Sequence, residues 1–348
     1  MVGHRHDCRR ALPQAAAAER QPTIGYNFAP MRTTIRFCFA LAVLCMFAAP
    51  VAAQGGAFAP ASDTADLVKQ GRKLSSEGKL DEALVVYNKV LQTAPDSFEA
   101  HLGAGIVLDL KGDYAEARRH LQKAMDVASE ETKPQAMRSM AMSYAFEGKA
   151  GEAAKYEQPL IDGRLARQDF TSAAEIANEL ARIYLESGDL DNAAKWYKTG
   201  YETALRKANM PQTERALWDF RWEHAQARIA ARRGRRDEAQ KHVAAAKAAL
   251  DQTSAEDRKQ QNPFFPYLTG YVAFYSGDYA TAIADLQEAN QRDPFILSLL
   301  AQAYEKSGNQ TQAREYYGKI LQINNHNPTN AFARPLAKKK VAEAGAGS

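Results

Sequence analysis

Ser276-Gly277-Asp278-Tyr279-Ala280-Thr281-Ala282 is the stretch on which the fold turns. A glycine stops one amphipathic run, an aspartate opens the next, and alanine follows five residues after the glycine. The glycine, with alanine five residues on, recurs at Gly78, Gly112, Gly148, Gly188, Gly234 and Gly308. Five residues after the seven glycines stand Ala83, Ala117, Ala153, Ala193, Ala239, Ala282 and Ala313. Seven residues before them stand Gly71, Gly105, Ala141, Ala181, Ala227, Gly270 and Ala301.

Helix contact accounts for both columns. Two antiparallel helices joined by a short turn reach an axis separation of ~8–10 Å only where small side chains meet at the crossing. One small residue must come from each arm. The glycine ends the first arm, where a left-handed residue costs least in glycine. Asp113, Asp189, Asp278 and Asn309 then supply N-caps for the second arm. Large residues fill the space around the crossing: Tyr87, Leu121, Tyr197, Val243, Leu286 and Tyr317 on the second arm, and Leu74, Leu108, Tyr144, Tyr184 and Tyr304 on the first. Pro95 and Pro294 stop two hairpins.

This pattern resembles the tetratricopeptide repeat over roughly residues 64–327. Glu77-Gly78-Lys79-Leu80-Asp81-Glu82-Ala83 looks like the family's turn. The resemblance implies an all-α fold: a right-handed α-α superhelix, or solenoid, of about seven helical hairpins plus a C-terminal capping helix. It also implies a concave inner face that takes up peptides or partner proteins. The sequence departs from the family in spacing. The glycines lie 34, 36, 40, 46, 43 and 31 residues apart, which predicts lengthened middle hairpins with helices near 171–187, 189–208 and 212–233. Glu157 stands where a large apolar residue is expected, and Pro159 interrupts the same arm, so a bend or break near 159–170 is allowed for.

Ahead of the repeats, Met31 is followed by Arg32 and Arg36, an apolar core from Phe37 to Phe47, and the small residues Ala48-Ala49-Pro50-Val51-Ala52-Ala53. Basic, apolar and small in that order is a secretory signal, with cleavage expected after Ala53. The apolar run is shorter than the ~20 residues of a spanning helix. The alternative is an uncleaved anchor at residues 37–53, which would make the chain a membrane-tethered subunit of a cell-envelope assembly. The reading divides the chain into a disordered leader or mis-assigned start at 1–30, a signal peptide at 31–53, a flexible linker at 54–63, the solenoid at 64–327, the capping helix at 328–344 and a flexible tail at 345–348. Its expected location is the periplasm or envelope of a bacterium.

The formal net charge of +4 belongs to residues 1–53, where six arginines face Asp7 and Glu19. The rest is balanced, which speaks against nucleic acid as a partner. All three cysteines (Cys8, Cys38 and Cys45) precede the expected cleavage site, so the exported body has no disulfide or thiolate site. No phosphate loop, zinc-protease motif or serine elbow occurs. Beyond the expected cleavage site the histidines are His101, His120, His224, His242 and His326, which show no metal-binding spacing along a helix. The chain therefore reads as a binding protein and not an enzyme, with no cofactor and no metal.

In the resembled family, the first helix of each hairpin lines the concave face. The corresponding places present Asn178, Arg182, Arg221, His224, Arg228 and Arg232 on the fourth and fifth hairpins, and Phe264, Tyr267, Tyr271, Phe274 and Tyr275 on the sixth. Arginine and tyrosine are frequent anchors of protein interfaces, and arginine forks take carboxylates. The expected partner is a protein or peptide with acidic and apolar residues. The competing reading puts the arginines on a solvated helix face and the aromatics between hairpins. A second cationic cluster, Arg232-Arg233-Gly234-Arg235-Arg236, sits on a turn beside Asp237 and Glu238.

Overall fold

A computed structural model describes residues 61–346. The expected leader and signal peptide, which together hold all three cysteines, most of the expected linker and the last two residues lie outside the described residues. Within 61–346 the secondary structure is helical, with no strand among the described residues.

Seven hairpins follow one another. They are α1 (Ala61–Ser76) with α2 (Leu80–Thr93), α3 (Phe98–Lys111) with α4 (Tyr114–Val127), and α5 (Lys133–Phe146) with α6 (Ala150–Ala166). The fourth and fifth are α7 (Phe170–Ser187) with α8 (Leu190–Ala204) and α9 (Gln212–Arg232) with α10 (Arg236–Asp251). A short helix, α11 (Ala255–Gln261), and the 3-10 turn Asn262–Phe264 lead into the sixth, α12 (Phe265–Tyr275) with α13 (Tyr279–Glu288). The seventh is α14 (Pro294–Lys306) with α15 (Gln310–Leu321), and α16 (Pro328–Ala346) follows. The two arms of each hairpin pack together, and each hairpin packs on the next. The chain is thus the all-α solenoid expected.

The local causes are those read from sequence. All seven landmark glycines have positive φ, from 69° at Gly148 to 92° at Gly188. Every alanine of the two columns is buried. Where the first arm carries glycine, the reason is measurable. A Cβ on Gly105 would lie 2.7 Å from Leu121 Cγ, and one on Gly270 would lie 2.6 Å from Leu286 Cγ. The carboxylates of Asp113, Asp189 and Asp278, and the Asn309 side-chain oxygen, accept from backbone N–H groups three residues on. Each such cap stabilises its helix by about 1 kcal/mol.

No break occurs at 159–170. Helix α6 runs through Pro159 to Ala166. The turn to α7 places Gln168 at φ 56° where other turns use glycine. One apolar cluster continues through this region, from Leu110 by Ile161 and Leu180 to Ile229.

The last helix departs from the expected end cap. Besides covering α14 and α15, α16 packs against α5 and α7, the first arms of the third and fourth hairpins. Ala331 joins the cluster of hairpins three to five, while Ala333 and Ala337 join that of hairpins six and seven. The solenoid therefore curls until its end meets its early hairpins, and α16 lies across the inside.

Candidate partner-binding surface

The eleven residues expected on the concave face divide between interior and margin, with Phe274 half-buried beside Tyr275 and Tyr279. His224, Arg228, Tyr267 and Tyr271 are buried. Asn178, Arg182, Arg221, Arg232, Phe264 and Tyr275 are half-buried. Packing thus fills much of the surface expected to be open to a partner.

The buried set is a polar cluster built by four helices. Glu186 of α7 lies between two arginines of α9, 3.2 Å from Arg232 and 4.0 Å from Arg228. Arg228 donates to the Tyr197 hydroxyl at 2.9 Å, and Arg232 to the Tyr275 hydroxyl at 3.2 Å. Tyr267 meets His224 at a ring separation of 5.6 Å and Tyr271 at 5.9 Å. Phe295 of α14 closes the group, 6.5 Å from both tyrosine rings, with the Arg182 guanidinium 5.3 Å from its centre.

Burial sets the protonation states here. It pulls the His224 imidazole well below its ordinary value, and the Arg228 and Arg182 charges add to the effect. Burial also pushes the Tyr267 and Tyr275 phenols up to about 12. It raises the Glu186 carboxyl too, although Arg182, Arg228 and Arg232 oppose it. A neutral imidazole beside neutral phenols and cationic guanidinium groups is a rigid wall. Oε1 of Glu186, Nε2 of His224 and the hydroxyls of Tyr267 and Tyr271 are buried without hydrogen-bond partners, so the wall is held at an electrostatic cost.

The marginal residues are fixed by their neighbours. Arg221 lies over the Trp218 ring at 4.7 Å and pairs with Glu175 at 3.7 Å. Arg232 lies over Tyr275 at 4.9 Å. Asn178 is turned toward its own hairpin, where a Cβ on Gly200 would meet its Cγ at 3.1 Å. At the Gly234 turn, the arginines are engaged: Arg233 with Asp191, Arg235 with Glu238 at 3.3 Å, and Arg236 with the Ser276 carbonyl. A shallow open depression there is lined by Arg235, Arg236, Asp237, Glu238 and Lys241.

Several residues that organise the inside are not among those expected there from the sequence. Asp109, Glu186, His326 and Arg334 are the main ones. His101 and His120 also meet across a hairpin at 3.1 Å, although they are 19 residues apart and share no helix. Among the described residues, no three His, Cys, Asp or Glu side chains come together to hold a metal.

The sequence matches two family profiles described as tetratricopeptide repeat, one over residues 74–140 and another over 139–209 and 267–328. No curated protein matches it. Among solved structures, it is similar to a tetratricopeptide repeat protein from Parabacteroides merdae, with 13% identity, 81% of this chain and 98% of that chain covered, and a TM-score of 0.48. It is similar also to pilF of Pseudomonas aeruginosa, with 12% identity, 74% and 98% covered, and a TM-score of 0.43. Profile matches over more than half of the chain coincide with hairpins whose glycines, caps and buried alanines follow one rule, and the chain belongs to the tetratricopeptide-repeat proteins.

Proposed function

We propose that this protein is an exported scaffold that holds another protein or peptide. The observation that carries the reading is the division of the inner face into a fixed wall and a half-exposed margin. Arg221, Arg232, Phe264 and Tyr275 keep part of their surface in solvent. Their backing residues Trp218, Arg228 and Tyr271 are buried. A cationic and aromatic margin held in place by packing loses little side-chain freedom on binding, which favours affinity. Guanidinium groups beside aromatic rings suit a segment with acidic and apolar residues.

Export is supported by the order of residues 31–53 and by the confinement of cysteine to the first 45 residues. No described helix is long and apolar enough to cross a membrane. Retention of residues 37–53 as an anchor is the second form of the same proposal, and mass spectrometry of the mature N-terminus separates the two.

The test is a pull-down from a bacterial envelope fraction with the exported full-length product as bait, followed by crosslink mapping. Arg221→Ala with Phe264→Ala is expected to lose the partner while helix content stays the same. Retention of the partner by that variant removes the margin from the proposal. Arg228→Ala with Tyr271→Ala is unsuitable as a binding test, because both side chains are in the interior.

A further inference from the structure

The inner end of hairpin two is occupied by the chain's own C-terminus, and the contacts have a definite chemistry. Gly112 and Asp113 bond back to the carbonyls of Asp109 and Leu108, which closes α3 and leaves the Leu110 and Lys111 carbonyls for others. Arg334 Nε of α16 donates to Leu110 O at 2.8 Å. Lys338, four residues on, donates to Lys111 O. Two cations one helical turn apart therefore cap the negative end of α3, where the helix dipole favours them. Just ahead of α16, His326 Nε2 donates to Asp109 Oδ2 at 2.8 Å, and Ser143 donates to the other oxygen at 2.7 Å. The His326 ring lies against Phe146 with centres 5.5 Å apart.

The two sides of α16 differ. Toward hairpins six and seven it presents Ala333, Ala337 and Leu336 to an apolar cluster. Toward α3 and α5 it offers Ala331, with the cationic and imidazole contacts just described, and Phe332 packs on both clusters. Those polar contacts are ones that water can replace when the surfaces part. The residues before α16, from Ile323 to Asn327, are not helical.

We propose that the inner face of α3 and α5, headed by Asp109 and the carbonyls of Leu110 and Lys111, is a docking surface for an amphipathic helix of a partner. That helix carries a small residue in the place of Ala331 and two cations four residues apart in the places of Arg334 and Lys338, and α16 is the intramolecular occupant that it replaces. The proposal rests on the scaffold reading above and names a second, cation-selective surface for it. It differs from the Arg221 and Phe264 margin, which selects acidic segments.

The probe is a labelled peptide with the sequence of residues 326–346, added to the full chain and to a His326→Ala, Lys338→Ala variant of it. The variant loosens the resident helix and is expected to bind the peptide about tenfold more tightly than the unaltered chain. A peptide carrying Arg334→Gln and Lys338→Gln is expected to lose that gain. Equal binding of the two peptides, or binding of neither to either protein, overturns the proposal. Hydrogen exchange on the unaltered chain gives a reading that does not depend on the variant. Amides of α16 are expected to exchange well before those of α9, and exchange of both only on global unfolding overturns the proposal. If the peptide fails while the pull-down recovers a partner sensitive to Arg221→Ala, this docking surface falls and the scaffold reading stands. Failure of the pull-down with success of the peptide has the opposite meaning.

Discussion

Arg334 donates to the carbonyl oxygen of Leu110 at 2.8 Å, across 224 residues of chain. The same guanidinium donates to Leu321 O at 3.1 Å and Ile323 O at 2.9 Å, so one side chain ties the second hairpin to the end of the seventh. It is buried, and removing it takes the side-chain donor from Leu110 O and Leu321 O, while Ile323 O keeps the Asn330 amide. Arg334→Met is expected to cost about 2–3 kcal/mol of stability. Lys338→Ala, at a more accessible contact, is expected to cost under about 1 kcal/mol. Urea denaturation of the two variants checks the ranking, and equal midpoints would show that Arg334 does not hold the closure.

The crossing-point rule makes a sharper claim, because glycine is required at some helical positions and a liability at others. A methyl on Gly105 meets Leu121 Cγ at 2.7 Å and the Ala117 carbonyl at 3.1 Å. Backbone cannot move aside as a side-chain tip can. Gly105→Ala is expected to destabilise by about 1–3 kcal/mol. Gly318 also lies within a helix, but nothing stands within 4 Å of its missing Cβ. Gly318→Ala is expected to stabilise by about 0.5–1 kcal/mol. Thermal midpoints moving in the same direction would contradict the rule.

The local half of this architecture was legible because it repeats. Small residues at Gly105 and Ala117, a left-handed Gly112 and a capping Asp113 are each dictated within one hairpin, and seven hairpins restate them. Closure was not legible. It depends on the small angle between successive hairpins accumulated over the array, and no single repeat carries that angle. His224, Arg228, Tyr267 and Tyr271 are read from sequence either as lining a face open to a partner or as packing between hairpins, and the structure buries them, with Phe295 on the tyrosines and Arg182. Asp109 had one sign available: it is the lone acid among Gly105, Ile106, Val107, Leu108 and Leu110. A carboxylate in such company needs a partner, and its partner His326 lies 217 residues away.

The His101–His120 contact gives the protein an acid-sensitive point. His101 Nε2 is held by the Pro95 carbonyl at 2.9 Å, which leaves its Nδ1 to accept from His120 Nδ1 at 3.1 Å. Burial lowers the His120 value, and the charges of His101 and Arg119 lower it further. The unfolded chain thus takes up this proton at a higher pH than the folded one. Stability is complete above the ordinary histidine value of about 6.5 and is lost as pH falls through the lower folded value. Glu116 Oε1, 3.7 Å from His120 Nε2, opposes the trend only weakly. His120→Gln is expected to reduce the loss between about pH 7 and about pH 5. Unfolding curves at the two pH values check it, and an imidazole titration of His120 at or above the ordinary value would contradict it.

Glu157 poses the opposite titration. It occupies a place where the repeat asks for a large apolar side chain, and the structure buries it completely with neither oxygen hydrogen-bonded. Its neighbour Glu179 already has the Arg138 guanidinium, whose Nε donates at 2.8 Å. Burial raises the Glu157 value well above 4.5, the Glu179 charge raises it further, and Arg138 offsets only part. The folded state therefore keeps this proton after the unfolded state has lost it. Stability falls as pH rises from the unfolded value toward the folded one, and stays reduced above it. Glu157→Leu removes both the titration and the unpaired polar group. It is expected to stabilise by about 1–3 kcal/mol at neutral pH and by less at about pH 4. Glu157→Gln keeps an unpaired dipole, so it is expected to flatten the pH dependence with a smaller gain. Chemical denaturation across this range decides the matter: a Leu variant less stable than the parent at about pH 8 would mean that the carboxylate is held by contacts worth more than its burial costs.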